Sequence, residues 1–253
     1  MTLDNSLYGN RKPVFKVLVG SHNYNLNTPE SDEDYKLFVL PTFDDLYSKT
    51  DFTKSIVTDE VDCTIYDIRK LVHLFWASNV NYLEVLYSKK TEILLSNNDT
   101  SYDDIIDIFN HREQLCKMNM PYLFSACKGM YYNKLAPMKN ANNKDYNEKL
   151  GYGPKHAMAA YRILDFLERY KSNLDMAKPN PFENAIYYSD EEKEELLNIR
   201  KGIYSFEQIQ TILDRKLKQV NESCKKFYTE KMPDEALKDW LTEKLKRIVK
   251  DNI

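Results

Sequence analysis

Asp32 and Asp34 stand two residues apart at the head of an apolar run, YKLFVL, and a third acid, Asp62, follows in the alternating stretch SIVTDEVDCTIYD. On a strand, residues two apart point to one face, so Asp32 and Asp34 would share a face while Glu33 points away. Two carboxylates this close repel unless a positive charge neutralises them, and hard oxygen ligands suit Mg2+ or Mn2+. An isolated acidic pair reads first as a solvated surface feature, and Asp44–Asp45 and Asp103–Asp104 are further instances. Placement separates the first pair from these. Gly20 and Ser21 follow directly on the apolar run VFKVLV, where a glycine lets the backbone approach a phosphate, with amide hydrogens and the Ser21 hydroxyl as donors. Carboxylates converging from neighbouring strands beside such a turn are what two-metal phosphoryl transfer needs. Asp59, Glu60 and Asp67 compete with Asp62 for the third position. Asp67 is also an N-cap candidate, because Ile68, Leu71, Val72, Phe75 and Trp76 follow it at helical spacing.

A second constellation is Lys155 and Arg162, seven residues apart in PKHAMAAYRILDFLERY, with Pro154 at the favoured first helical position. Lys155 would sit in the first turn, where the helix dipole disfavours a cation and an anion bound there would favour one. The alternative is an exposed lysine and arginine on a solvated helix face. His156 reads as a structural or polar contact, and Glu84, in NYLEVLYS, as a brace or a partner of Arg69 or Lys70 outside the catalytic set.

These residues need strands early and helices late. Val14–Val19 and Leu37–Leu40 are short apolar runs, the second stopped by Pro41. In the next stretch Val61, Cys63 and Ile65 alternate with Asp62, Thr64 and Tyr66. Candidate helices follow at Tyr102–Phe109 and Arg112–Met130, then a polar loop, APMKNANNKDYNEKLGYG, and the helix opened by Pro154. Ser189 with Glu192 and Ser205 with Gln208 form capping boxes, the first helix ended by Gly202 and the second running to about Tyr228. Pro233 opens the last helix, and the lysines from Lys216 to Lys250 alternate with acids, as a solvated helix surface does. The expected architecture is an α/β (α+β) domain over 1–110 and a helical domain over 111–253, with the site in the cleft between them.

A net charge of −3 excludes a whole-protein basic field, so any nucleic-acid partner must be drawn by a local cleft or a bound cation. Cys63, Cys116, Cys127 and Cys224 show no CxxC spacing, which argues against zinc and for reduced thiols. With a polar start, MTLDNSLYGNRK, and no run of membrane-spanning length, the expectation is a cytoplasmic protein with no membrane partner. Nothing in the sequence signals an oligomeric state.

The segment GSHNYNLNTPESDEDYK resembles the signature of the polymerase β-like nucleotidyltransferase superfamily. With VDCTIYDIRKLVHL, NVNYLEVLYS, GYGPKHAMAAYRIL and ELLNIRKG in order, the chain resembles more closely the predicted nucleotidyltransferase family linked to RNA repair. The resemblance implies a mixed sheet flanked by helices, followed by a mainly helical C-terminal domain. It implies that Asp32 and Asp34 hold two Mg2+ ions, that Asp62 completes the metal site, that Gly20 and Ser21 contact the β- and γ-phosphates, and that Lys155 and Arg162 bind nucleotide. The implied reaction moves a nucleoside monophosphate from an NTP to a hydroxyl, an RNA 3′ end first and a protein side chain second. A non-catalytic interaction protein keeping the fold is the alternative from another class. Where members carry glycine and threonine this chain has Asn25 and Leu26, and asparagine tolerates left-handed backbone. Asn79-Val80-Asn81 replaces the usual NPN.

Overall fold

The computed structural model describes residues 7–57, 61–96 and 100–253. Among them the chain runs β1 (Pro13–Val19), α1 (Ser21–Tyr24), β2 (Glu33–Val39), α2 (Phe43–Tyr47), β3 (Thr53–Val57), β4 (Val61–Asp67), α3 (Lys70–Trp76) and α4 (Val80–Leu83). A 3-10 turn (Glu84–Tyr87), β5 (Thr91–Ile93), α5 (Thr100–Asn110), α6 (Arg112–Lys117), α7 (Met120–Lys139) and α8 (Pro154–Asp175) follow. The chain closes with α9 (Pro181–Ile186), α10 (Glu194–Lys201), α11 (Phe206–Ser223), α12 (Lys225–Thr229) and α13 (Glu235–Lys250).

The five strands form one sheet in the order β3-β4-β2-β1-β5. β2 and β4 pair in parallel and the other neighbours are antiparallel. The strands β1 and β2 are largely buried along their length because both of their faces are covered, whereas β3, at an edge, is largely exposed. Strand parity divides the residues between the faces as the alternation in SIVTDEVDCTIYD implies. Leu18, Tyr35, Leu37, Val39, Cys63 and Ile65 gather on one face with Tyr8. On the other, Phe38 stacks between Phe15 and Tyr66, and Phe15 meets Phe109 of α5 edge-on. This mixed sheet with flanking helices, followed by a helical C-terminal region, is the architecture expected from the sequence.

The chain divides into two compact units. One runs through Trp76 and also takes Asn81–Met118 and Asp234–Ile253; the other holds Ala77–Val80 and Asn119–Pro233. The limits read from sequence, 1–110 and 111–253, differ from these at both ends of the second unit. The stretch expected as one helix, Arg112–Met130, breaks at Met118, and Asn119 caps α7 by accepting from the Tyr122 amide. The helix expected to reach Tyr228 likewise breaks at Cys224. The second unit is built around α8, which packs against α7, α9, α10 and α11. Both capping boxes form, although Ser189 and Glu192 close a turn two residues ahead of α10. Lys216, one of the lysines read as solvated, is instead buried and pairs with Asp165 at 2.7 Å and with Glu168.

α13 returns to the first unit and packs on α3 and α5. Its Asp234 amide donates to the Met118 carbonyl at 2.8 Å, its Trp240 ring lies 4.4 Å from that of His111, and Lys238 sits 4.2 Å over Trp76. Asp104, only 5% exposed, accepts from Lys244 at 3.0 Å and from the Arg247 guanidinium. Burial pushes the Asp104 carboxyl up, but Arg247 and Lys244 outweigh it and hold the pKa below the usual value. A depressed carboxylate contributes stability that is complete above its unfolded pKa and is lost as pH falls through the folded one. Urea unfolding should therefore show wild-type stability falling below about pH 4, with a weaker fall in Asp104→Asn, which at neutral pH should be less stable by about 2 kcal/mol.

Candidate active site

Gly20 joins β1 to α1 with φ 75 and ψ −149, backbone geometry open to glycine. A Cβ there would lie 2.4 Å from Asp34 Oδ2. The turn expected after β1 is one helical turn, α1, ended by Asn25 in left-handed geometry at φ 63, as an asparagine permits. Leu26 is buried in the core. His22 Nε2 donates to the Ser31 carbonyl at 3.0 Å, and Thr28 and Ser31 close a turn through two 2.9 Å hydrogen bonds. That turn delivers the chain to Asp32 and β2.

Asp34 is in register with Val19 on β1 and with Asp62 on β4, so both carboxylates stand side by side in one row and on one face. Both are half-buried, whereas Asp32 precedes β2 and is exposed. The structure thus brings together two of the three expected acids. Among the described residues no group of three or more His, Cys, Asp or Glu side chains is gathered to hold a metal ion. In donor type, two adjoining carboxylates beside a glycine-cleared space still fit a hard divalent cation. Of the rival third acids, Asp59 and Glu60 lie outside the described residues. Asp67 is fully buried and is occupied by Arg69, whose backbone amide lies 2.9 Å and whose Nη2 lies 2.6 Å from its carboxylate.

Glu84 does not pair with Arg69 or Lys70. It is 2% exposed, its Oε2 accepts the Gly20 amide at 3.1 Å, and its Oε1 lies 3.7 Å from Lys36 Nζ. The Gly20 N–H, expected to face a phosphate, is therefore taken by Glu84. Lys36 also donates to the Asn81 carbonyl and lies 5.0 Å over the Tyr82 ring. Burial lowers its pKa, and Glu84 and Asp34 oppose that shift. Lys36 follows Asp34 by two positions on β2, so the cation sits on the carboxylate face. Neither Lys36 nor the Glu84–Gly20 bond was legible as part of the site. The signal was present all the same, since a lysine inside YKLFVL and a glutamate inside NYLEVLYS each need a buried partner.

Lys155 and Arg162 belong to the second unit, on α8. Lys155 is exposed in the first turn, but Arg162 is 8% exposed, so the two do not form one solvated face. The positive charge of Arg162 acts on the buried Cys127 and Tyr188 of its own unit. His156 Nε2 lies 3.2 Å from Asn143 Oδ1 and ties the loop ahead of α8 to that helix.

Removing Glu84 strands a buried ammonium, so Glu84→Ala should cost about 3–5 kcal/mol. The double variant Glu84→Ala with Lys36→Met should recover part of that loss, read as a coupling energy in a double-mutant cycle by chemical denaturation.

No curated protein matches the chain. Residues 8–107, which carry the sheet, Gly20, both in-register carboxylates and Glu84, match the model of RlaP, described as the RNA repair pathway DNA polymerase beta family, the family that the sequence resemblance points to.

Proposed function

We propose that this protein is a nucleotidyltransferase that moves a nucleoside monophosphate from an NTP to a hydroxyl, with an RNA 3′ end as acceptor. The observation that carries the reading is the register row that sets Asp34 beside Asp62, with Gly20 leaving space at Asp34 Oδ2. The family match over 8–107 supports a nucleotidyltransferase-like role, and the choice of an RNA acceptor rests on the sequence resemblance. Asp34 and Asp62 would hold the divalent cation, with Asp32 on the loop into β2 as the third donor. Bound Mg2+ would neutralise phosphate charge and favour the ionised acceptor hydroxyl.

The chain's own residues do the rest. The Ser21 hydroxyl donates to a phosphate oxygen at the start of α1. Asp62 takes the proton of the acceptor hydroxyl. The acceptor oxygen then bonds to the α-phosphorus as the bond to the bridging oxygen breaks, and pyrophosphate leaves with that electron pair. Lys36, two positions from Asp34 on β2 and on its face, supplies a fixed positive charge beside the row.

With Mg2+, labelled NTPs and an RNA bearing a free 3′ hydroxyl, the protein should release pyrophosphate and extend the RNA. Asp34→Asn and Asp62→Asn should lower the rate by at least about 100-fold with the melting temperature unchanged. A wild-type protein that neither reacts nor gains thermal stability from nucleotide and Mg2+ would overturn the reading. Label appearing on protein instead of RNA would overturn the choice of acceptor.

A further inference from the structure

The last turns of α8, the loop after it, α9 and the turn ahead of α10 surround a cavity of about 520 Å3 within the second unit. Sites for small organic molecules span roughly 300–1,000 Å3. Every lining side chain carries a polar atom, and none belongs to the residues assigned to nucleotidyl transfer. Such a lining suits a small polar ligand, because an apolar one would strip these groups of water without replacing its bonds. Most charges along it are paired, Arg169 with Glu192 at 2.8 Å and Glu168 with Lys216. The Lys178 ammonium differs, having no ion-pair or hydrogen-bond partner among the described residues.

The walls are fixed by the protein's own bonds. Arg169 spends its donors on the carbonyls of Asn184, Ala185 and Tyr187 at 2.9, 3.2 and 2.7 Å and on Glu192, which also accepts the Ser189 amide at 2.9 Å. The loop that carries Lys178 is held from both sides. The Lys178 amide donates to the Asn173 carbonyl at 3.0 Å, and the Pro179 carbonyl accepts from Asn184 Nδ2 at 2.7 Å. Ala177 and Asn180, on either side, take left-handed backbone at φ 51 and φ 47. An alanine keeps that geometry only where its surroundings impose it.

Asn173 lines the cavity and is only 6% exposed. Its Nδ2 donates to the Pro181 carbonyl at 3.1 Å, which settles the orientation of the amide. Its Oδ1 accepts no hydrogen bond among the described residues, although buried amide oxygens are normally satisfied. The Asn184 amide is turned in the same manner, with Nδ2 spent on Pro179 and Oδ1 left over among the described residues. The cavity thus combines one uncommitted cation with two oriented amide oxygens and the Glu192 carboxylate. An α-amino acid is the converse, three ammonium donors next to a carboxylate. We infer that the cavity binds a free α-amino acid, its carboxylate paired with Lys178 and its ammonium donating to Asn173 and Asn184 Oδ1 and to Glu192.

Thermal shift and calorimetry on the full-length protein, with the proteinogenic L-amino acids as probes, test it. At least one should bind saturably and raise the melting temperature. Its N-acetyl derivative, which lacks the ammonium, and its methyl ester, which lacks the carboxylate, should each bind at least about tenfold more weakly, as the loss of one charge-assisted contact implies. Lys178→Met should weaken the amino acid by about tenfold without changing the melting temperature of the free protein, and Lys178→Arg should recover most of the loss. Ser172→Trp, which fills the cavity, should abolish binding. Wild-type protein that binds no amino acid at millimolar concentration, or binds either derivative as tightly, would overturn the inference. Lys178→Met binding as wild type does would also overturn it, since the lysine would then serve only the α8 C-terminus. Binding retained by a folded Ser172→Trp would place the ligand elsewhere and overturn it too.

Discussion

Between Val19 and Ser21 the backbone takes φ 75 and ψ −149, and the volume a side chain would fill lies against Asp34 Oδ2. Gly20 is needed there on both counts, backbone angle and space. The peptide is then held from the other side, because Glu84 accepts its N–H, and Glu84 is itself held by a lysine that rises from the strand carrying Asp34. Strand, turn and acid form a closed circuit in which each member orients the next. This explains why a glutamate and a lysine are retained in an interior that apolar residues would fill at less desolvation cost.

The circuit also sets the electrostatics of the row. Burial works against the charged form of Lys36 and lowers its pKa, while Glu84 and Asp34 offset part of that shift. Two carboxylates placed side by side by parallel pairing repel, and a fixed cation two positions down the same strand relieves part of that repulsion before any ligand arrives. The sheet end is therefore preorganised for charge. Reorganisation is small when groups are fixed by buried partners and large when they wait on exposed loops, and Asp32, exposed ahead of β2, is the member of the acidic set left in the second condition.

What was legible in the sequence follows the range of the forces involved. Period two in SIVTDEVDCTIYD assigned Cys63 and Ile65 to the core and Asp62 to the opposite face, because alternation is a property of the strand alone. Capping at Ser205 and Gln208, Pro154 at the head of α8 and the left-handed Asn25 are local in the same sense. The break at Asn119 had a local signal that the expected helix passed over, since Pro121 within Arg112–Met130 belongs in a first helical turn and Asn119 before it is a cap residue. The pairing of Lys36 with Glu84 joins residues 48 apart, and that of Asp104 with Arg247 joins residues 143 apart. Sequence shows that such charges need partners, but the fold decides which partners they receive.

α13 belongs to the unit begun by β1, so the long segment Asn119–Pro233 of the helical unit interrupts that unit in the chain. Its long-range contacts Lys12 with Asn252, Asp104 with Arg247 and Met118 with Asp234 form only when the last twenty residues exist. During synthesis α3 and α5 must wait, with the faces that α13 will cover still open, while the helical unit Asn119–Pro233 is made and folds. The helical unit is contiguous over Asn119–Pro233 and can complete itself first. The order of assembly is then the reverse of the order of encoding: the unit that holds the in-register carboxylates begins before the helical unit and is completed after it.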